Sequence, residues 1–225
     1  SRAILIPAVL ASLFPTAFIL LTSFRAGASI YSSTLIPQRL TLANYARLLT
    51  ETPFPLWVRN SLVLGITSAF LTVAVATLAA YAFSRFWFRG HRYGIFLLLL
   101  VQMLPTSVSL VALFRILQML RLLNTLAGLI LIFGLGSSAL SVWLIRNYLD
   151  SIPRELDEAA YVDGATPWQV FRRILLPLAM PMLAAQFIFA FIGVYNEYML
   201  ATIMLSRPEL YPLGVGIRIY VAGSY

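Results

Sequence analysis

The chain has 225 residues, of which 60% are hydrophobic and 11% charged, with a mean hydropathy of +0.87; soluble domains carry about 25% charged residues, so an ordinary soluble fold is excluded. The net charge of +8 resides on Arg, because there is no Lys, and in a membrane chain such an excess marks loop flanks that face anionic headgroups rather than nucleic-acid binding. Without Cys and with a lone His91, no zinc, haem or disulfide constellation can be built, and without Lys this chain cannot supply the cation of a P-loop.

These bounds leave an all-α polytopic membrane protein, since helices satisfy their own backbone groups in lipid. Residues 1–56 read as a first transmembrane helix and an external loop. The apolar run 3–22 is long enough to span, with Pro7 and Pro15 expected to bend it, and the polar stretch after it, with Pro37, Pro53 and Pro55, carries a short helix near 42–49. Residues 57–225 read as a core with spans at about 57–83, 93–113, 126–145 and 178–198. Asn60 and Ser61 are candidate caps of the second span, whose small residues Gly65, Ser68, Ala69, Ala74, Ala76, Ala79 and Ala80 suit close helix packing in lipid. The turn 84–92, SRFWFRGHR, is short, basic and aromatic, as at headgroup level, and His91 in it is an interfacial residue rather than a ligand. Pro105 falls in the outer half of the third span, and Gly128, Gly134 and Gly136 thin the fourth to line a path or, more commonly, to admit a neighbouring helix.

The fifth span closes on Asn196 and Glu197. A carboxylate at that depth is costly unless it faces water or a partner, which makes both residues candidates for a gate or path. Residues 203–213 form an external turn, followed by a mixed run with Gly214, Gly216 and Gly223.

The long polar segment 150–177, containing SIPRELDEAAYVDGATPWQVFRRILLP, reads as helix, turn, helix. Ser151 is the expected cap of the first helix, with Pro153 in its first turn and Glu155, Asp157 and Glu158 near its positive end. Gly164 ends that helix. Thr166, Pro167 and Gln169 make a capping box for the second, and Pro177 is expected to close it. Leu156, Ala159, Ala160 and Asp163 share one face of mostly small groups, which a partner can approach closely.

Glu158, Ala159, Ala160, Gly164 and the Ile174-x-Leu176-Pro177 run resemble the EAA loop of permease subunits of ATP-binding-cassette importers. Softer similarity along nearly the whole chain resembles the maltose and maltodextrin type of sugar importer. The resemblance implies a helix bundle with a cytoplasmic EAA coupling helix, five spans visible here and a sixth beyond the chain, with further residues before Ser1. It implies a second, different permease subunit, a dimer of ATPase subunits that binds ATP and Mg, an extracytoplasmic sugar-binding protein, and a multi-pass location in a prokaryotic inner membrane. No cofactor is implied for this chain itself. Glu158, Ala159, Ala160, Asp163 and Gly164 would contact the ATPase. In the external loop, Tyr211 would stack on a sugar ring in the binding protein's cleft, while Arg207 or Glu209 would hydrogen-bond.

Orientation by charge is close to a tie, broken by three Arg within 84–92, and the resemblance sets that turn and the EAA loop inside. An ion-coupled secondary transporter is the alternative, but it would want paired intramembrane carboxylates and inverted repeats, and only Glu197 qualifies. A membrane enzyme would need a His pair, an Asp-rich motif or a nucleophile with its base, and the sequence contains none of these.

Overall fold

The computed structural model describes residues 2–26, 39–103, 106–136 and 138–223. Among them every regular element is helical, apart from an isolated bridge between Arg25 and Leu40. The chain divides into two compact units, Ser1–Pro55 and Leu56–Tyr225.

In the first unit, α1 (Arg2–Ser23) runs through both Pro7 and Pro15. α2 (Ala43–Thr50) falls where the short loop helix was expected. Its start is tied back to the end of α1: Asn44 Nδ2 donates to the carbonyls of Ser23 (3.0 Å) and Arg25 (2.9 Å), and Tyr45 packs on Phe24 with ring centroids 5.3 Å apart. Pro37 lies outside the described residues.

The second unit is built along α3 (Phe54–Arg85), whose 32 residues extend about 48 Å at 1.5 Å per residue. Its small residues do allow close packing: Ser68, Ala69, Ala76 and Ala80 are fully buried, and a Cβ on Gly65 would stand 2.8 Å from the ring of Phe191. Asn60 and Ser61 do not cap α3. The helix already begins at Phe54, so their polar groups lie inside it, free to serve another segment.

The expected third span is two helices, α4 (His91–Gln102) and α5 (Thr106–Met119). α4 ends with Met103 as its C-cap, and Pro105 lies outside the described residues. The fourth is a pair, α6 (Leu126–Gly136) and α7 (Ser138–Asp150), bent by 43° and extending to Asp150 rather than 145. Gly134 admits a neighbour, since a Cβ there would meet Leu71 of α3 at 2.5 Å.

After the polar loop with α8 (Glu155–Val162) and α9 (Pro167–Val170), the chain does not stop at Pro177. It passes through a π turn, Phe171–Leu175, into α10 (Leu176–Asn196). The Leu176 N–H donates to the Phe171 carbonyl, one residue further back than in an α-helix. Pro177 then stands in the first turn of α10, where a missing N–H is tolerated. α11 (Met199–Met204), a 3₁₀ turn (Pro208–Leu210) and α12 (Leu213–Val221) complete the unit.

Among the described residues, Phe54–Arg85 and Pro167–Asn196 are long and apolar enough to cross a membrane, and the bent α6–α7 pair is a third if counted as one span. Two cores sit along α3. One gathers Tyr81, Ile145, Leu149, Phe171 and Leu175 near its C-terminal end, and the other gathers Leu64, Leu129, Phe133, Met204 and Val215 toward its start. Large apolar side chains such as Phe70 and Phe189 are turned outward, as on helices bathed in lipid.

Candidate functional site

The geometry of the 150–177 loop follows from local chemistry. α8 carries Glu155, Asp157 and Glu158 in its first turn, where the helix dipole favours negative charge. Ser151 is not its cap: the Ser151 hydroxyl donates to the Tyr148 carbonyl (2.6 Å) at the end of α7, and α8 starts after Arg154. The helix ends in a Schellman turn. Gly164 has φ +83, its N–H donates to Tyr161 O (3.0 Å), and the Ala165 N–H donates to Ala160 O (2.9 Å). α9 opens with the full capping box, in which the Gln169 N–H donates to Thr166 Oγ1 (3.3 Å) and the Thr166 N–H to Gln169 Oε1 (2.8 Å). Glu158, Ala159, Asp163 and Gly164 are exposed together, beside Leu156 and a Val162 that is 88% exposed, whereas Ala160 turns toward the bundle and packs on the core. The outward surface is thus small, partly apolar and acidic.

A polar stripe on α3, Tyr81, Ser84 and Arg85, holds the inner side of this loop. Arg85 Nε lies 2.5 Å from Asp157 Oδ2, with the two side chains only 5% and 7% exposed. Arg85 also donates to Ile152 O (3.1 Å) and to Ser84 Oγ (3.1 Å). Ser84 donates to Asp150 Oδ1 (2.6 Å), and its carbonyl accepts from Arg154 Nη2 (3.0 Å). Tyr81 donates to Pro167 O (2.9 Å) and packs on Phe171, with ring centroids 4.6 Å apart. Burying charges is costly unless they are paired and hydrogen-bonded; here the two charges are paired and Arg85 makes two further hydrogen bonds, while Asp157 Oδ1 has no hydrogen-bond partner among the described residues. In the sequence Asp157 reads only as a first-turn acid and Arg85 only as headgroup charge. The i, i+3, i+4 spacing of 81, 84 and 85 at the end of an apolar helix was the available signal.

The other candidate residues lie elsewhere. Arg207 and Glu209 are exposed on the 3₁₀ turn, and Tyr211 is half-buried against the core near Leu64. Three polar residues shape this loop, two of them, Asn60 and Ser61, expected from sequence as helix caps. Asn60 Nδ2 donates to Glu209 O (2.8 Å) and Tyr211 O (3.2 Å), Ser61 Oγ accepts from the Leu213 N–H (2.7 Å), and Asn124 Oδ1 accepts from the N–H groups of Ser206 (2.9 Å) and Arg207 (3.2 Å). The two loops are therefore joined to opposite ends of α3.

Asn196 is exposed and bonds back to Ile192 O within its own helix. Glu197 uses Oε1 to accept from the Leu200 N–H (3.0 Å) at the start of α11, while its buried Oε2 has no hydrogen-bond partner among the described residues. It lines a cavity of about 780 Å3 together with Gln102, Ser141 and Gln186, the last only 4% exposed.

An apolar helical bundle with a polar loop packed at one end is a membrane protein, and the family it matches makes it a transport component. Residues 73–223 match the family model described as binding-protein-dependent transport system inner membrane component. The chain is 40% identical over 228 residues to the maltose/maltodextrin transport system permease protein MalG of Vibrio parahaemolyticus, covering 93% of this chain and 76% of that protein. It is 33% identical to the maltodextrin transport system permease protein MdxG of Bacillus subtilis, with the same shares covered. A solved bacterial ABC transporter involved in import of the acidic polysaccharide alginate contains a chain that superposes with a TM-score of 0.85 at 26% identity, covering 99% of this chain and 78% of that one. The chain belongs to the binding-protein-dependent transport system inner membrane component family.

Proposed function

We propose that the chain is the membrane permease subunit of an ATP-driven sugar importer in a bacterial inner membrane, carrying maltose, maltodextrin or a related oligosaccharide delivered by an extracytoplasmic binding protein. In this reading ATP and Mg bind to a separate pair of ATPase subunits, and a second, different permease subunit completes the path. The observation that carries it is the exposed face of α8: Glu158, Ala159, Asp163 and Gly164 stand free on a helix held by a Schellman turn on one side and a buried ion pair on the other. Such a helix is suited to sit in a cleft of a motor subunit and to be carried as a rigid body, because free energy enters only through differential contact with two states. Asn196 and Glu197 are assigned to the path or gate, with Glu197 facing the cavity. Arg207, Glu209 and Tyr211 are assigned to contact with the binding protein and its sugar.

The test is reconstitution in proteoliposomes with the cognate ATPase, second permease subunit and binding protein, comparing maltose, trehalose and longer glucans. Uptake that requires ATP and the loaded binding protein is expected. Proton-driven uptake by this chain alone would replace the reading with an ion-coupled carrier.

A further inference from the structure

We propose that α3 is a tie rod joining the two functional loops, so that α8 and the external 205–213 loop are coupled through this helix rather than through α10. The inference rests on the roles proposed above for those loops.

From α8, the obvious mechanical route to the other side of the bundle is the helical run Pro167–Asn196. That run is not uniformly stiff. It contains the π turn Phe171–Leu175 and, just after it, Pro177 and Pro181. Pro181, inside α10, removes a backbone donor, and a π turn is a known place for helices to kink. A displacement entering at α9 would be partly absorbed there.

The route through α3 has no such break. It is a single helix from Phe54 to Arg85, with no proline after its first turn. At one end Arg85 grips Asp157 of α8 in a nearly dry site, Arg154 grips the Ser84 carbonyl, and Tyr81 holds Pro167. Separating Arg85 from Asp157 would strand an uncompensated buried charge, so this contact should persist while weaker contacts rearrange. At the other end Asn60 holds the carbonyls of Glu209 and Tyr211, and Ser61 holds the Leu213 N–H. Asn60 is 1% exposed and Ser61 2%, so water competes little for these bonds. A rigid element gripped at both ends can carry coupling between distant sites, and such coupling is reciprocal. Nucleotide-driven motion of α8 would shift the external loop, and docking on the external loop would bias α8.

The experiment uses the complete transporter and reads the stimulation of ATP hydrolysis by sugar-loaded binding protein. Asp157→Asn cuts the rod at one end and Asn60→Ala at the other. Each is expected to lower the stimulation about fivefold or more, in line with ordinary coupling energies. The double variant should be no worse than the poorer single, because both cut the same connection. The exchange R85D/D157R should recover stimulation, which a change in yield or folding alone would not produce. Full stimulation in assembled Asp157→Asn and Asn60→Ala complexes would overturn the proposal, as would losses that multiply in the double variant.

Should a variant fail to assemble, the native background carries the test. The chain has no Cys, so spin labels at Leu78 of α3 and Leu156 of α8, both partly exposed, report one distance. An unchanged distance between nucleotide-free and ATP-bound states supports the rod, and a clear change refutes it. If the unaltered transporter shows no stimulation by any binding protein, the importer reading itself fails, and this result is separate from the others.

Discussion

Gly164 offers the most quantitative test of the coupling loop, because its cost can be worked from geometry alone. Its φ of +83 lies where L side chains are strained, while a Cβ built there meets nothing within 4 Å. Gly164→Ala therefore pays no clash, only about 1–2 kcal/mol for the left-handed conformation. That lowers the equilibrium constant for forming the Schellman turn by about 5- to 30-fold. Gly164→Asn should cost less, since Asn visits this region more readily. Gly164→Pro is different in kind: its φ is fixed near −65°, so the turn cannot form. It also loses the N–H that donates to Tyr161 O, about 1 kcal/mol more. Sugar uptake and phosphate release, measured on the same proteoliposomes, should therefore give uptake per ATP in the order Gly, Asn, Ala, Pro, with Pro near zero although the protein still inserts. Normal uptake in Gly164→Pro would refute the reasoning. Equal loss in Asn, Ala and Pro would show that bulk against a partner, not turn geometry, sets the requirement.

Three further outcomes follow from the same coordinates. Glu158→Lys reverses an exposed charge in the first turn of α8, so stability should fall by only about 1 kcal/mol through the helix dipole, while ATP hydrolysis loses its dependence on sugar and uptake falls; thermal unfolding and transport are read together. Asn124 has φ +60 and accepts two backbone N–H bonds; Asn124→Ala should cost about 1 kcal/mol per lost bond and raise the binding-protein concentration needed for half-maximal hydrolysis, and Asn124→Gly, which keeps the backbone conformation, should do less harm. Gly134→Ala drives a Cβ to 2.5 Å from Leu71 and should destabilise by about 1–3 kcal/mol, whereas Gly136→Ala, with nothing within 4 Å, should be neutral or slightly stabilising; detergent melting of the two variants gives the comparison.

The features legible in the sequence are those whose partners lie within a few residues. The capping box needs only Thr166 and Gln169, the Schellman turn only Gly164 and the two residues that accept from it and its neighbour, and the small residues of α3 announce close packing whichever helix arrives. The misread residues share one cause, which is that a local propensity was available but a different partner took the group. Ser151 had the chemistry of an N-cap, yet its hydroxyl closes the end of α7. Asn60 and Ser61 had it too, and serve a loop on the far side of the sequence. Pro177 had the chemistry of a stop, but the π turn before it lets the helix continue.

The same reasoning explains why the grip on the coupling loop went unseen. Asp157 in a first helical turn is favourable on any exposed helix through the dipole alone, worth about 0.3–1 kcal/mol, so its presence required no partner. Arg85 at the end of an apolar span is equally ordinary at a headgroup boundary. Each has a sufficient local reason, and nothing in one dimension says that the two meet. Yet in a chain with only eight acidic residues, two of them, Asp150 and Asp157, converge on Ser84 and Arg85. Apolar membrane segments carry few charges because each is costly to bury, so charges that are buried and paired are the ones most worth tracing to a mechanical role. In this chain they trace to the junction between α8 and α3, where the proposed motor contact and the rigid helix meet.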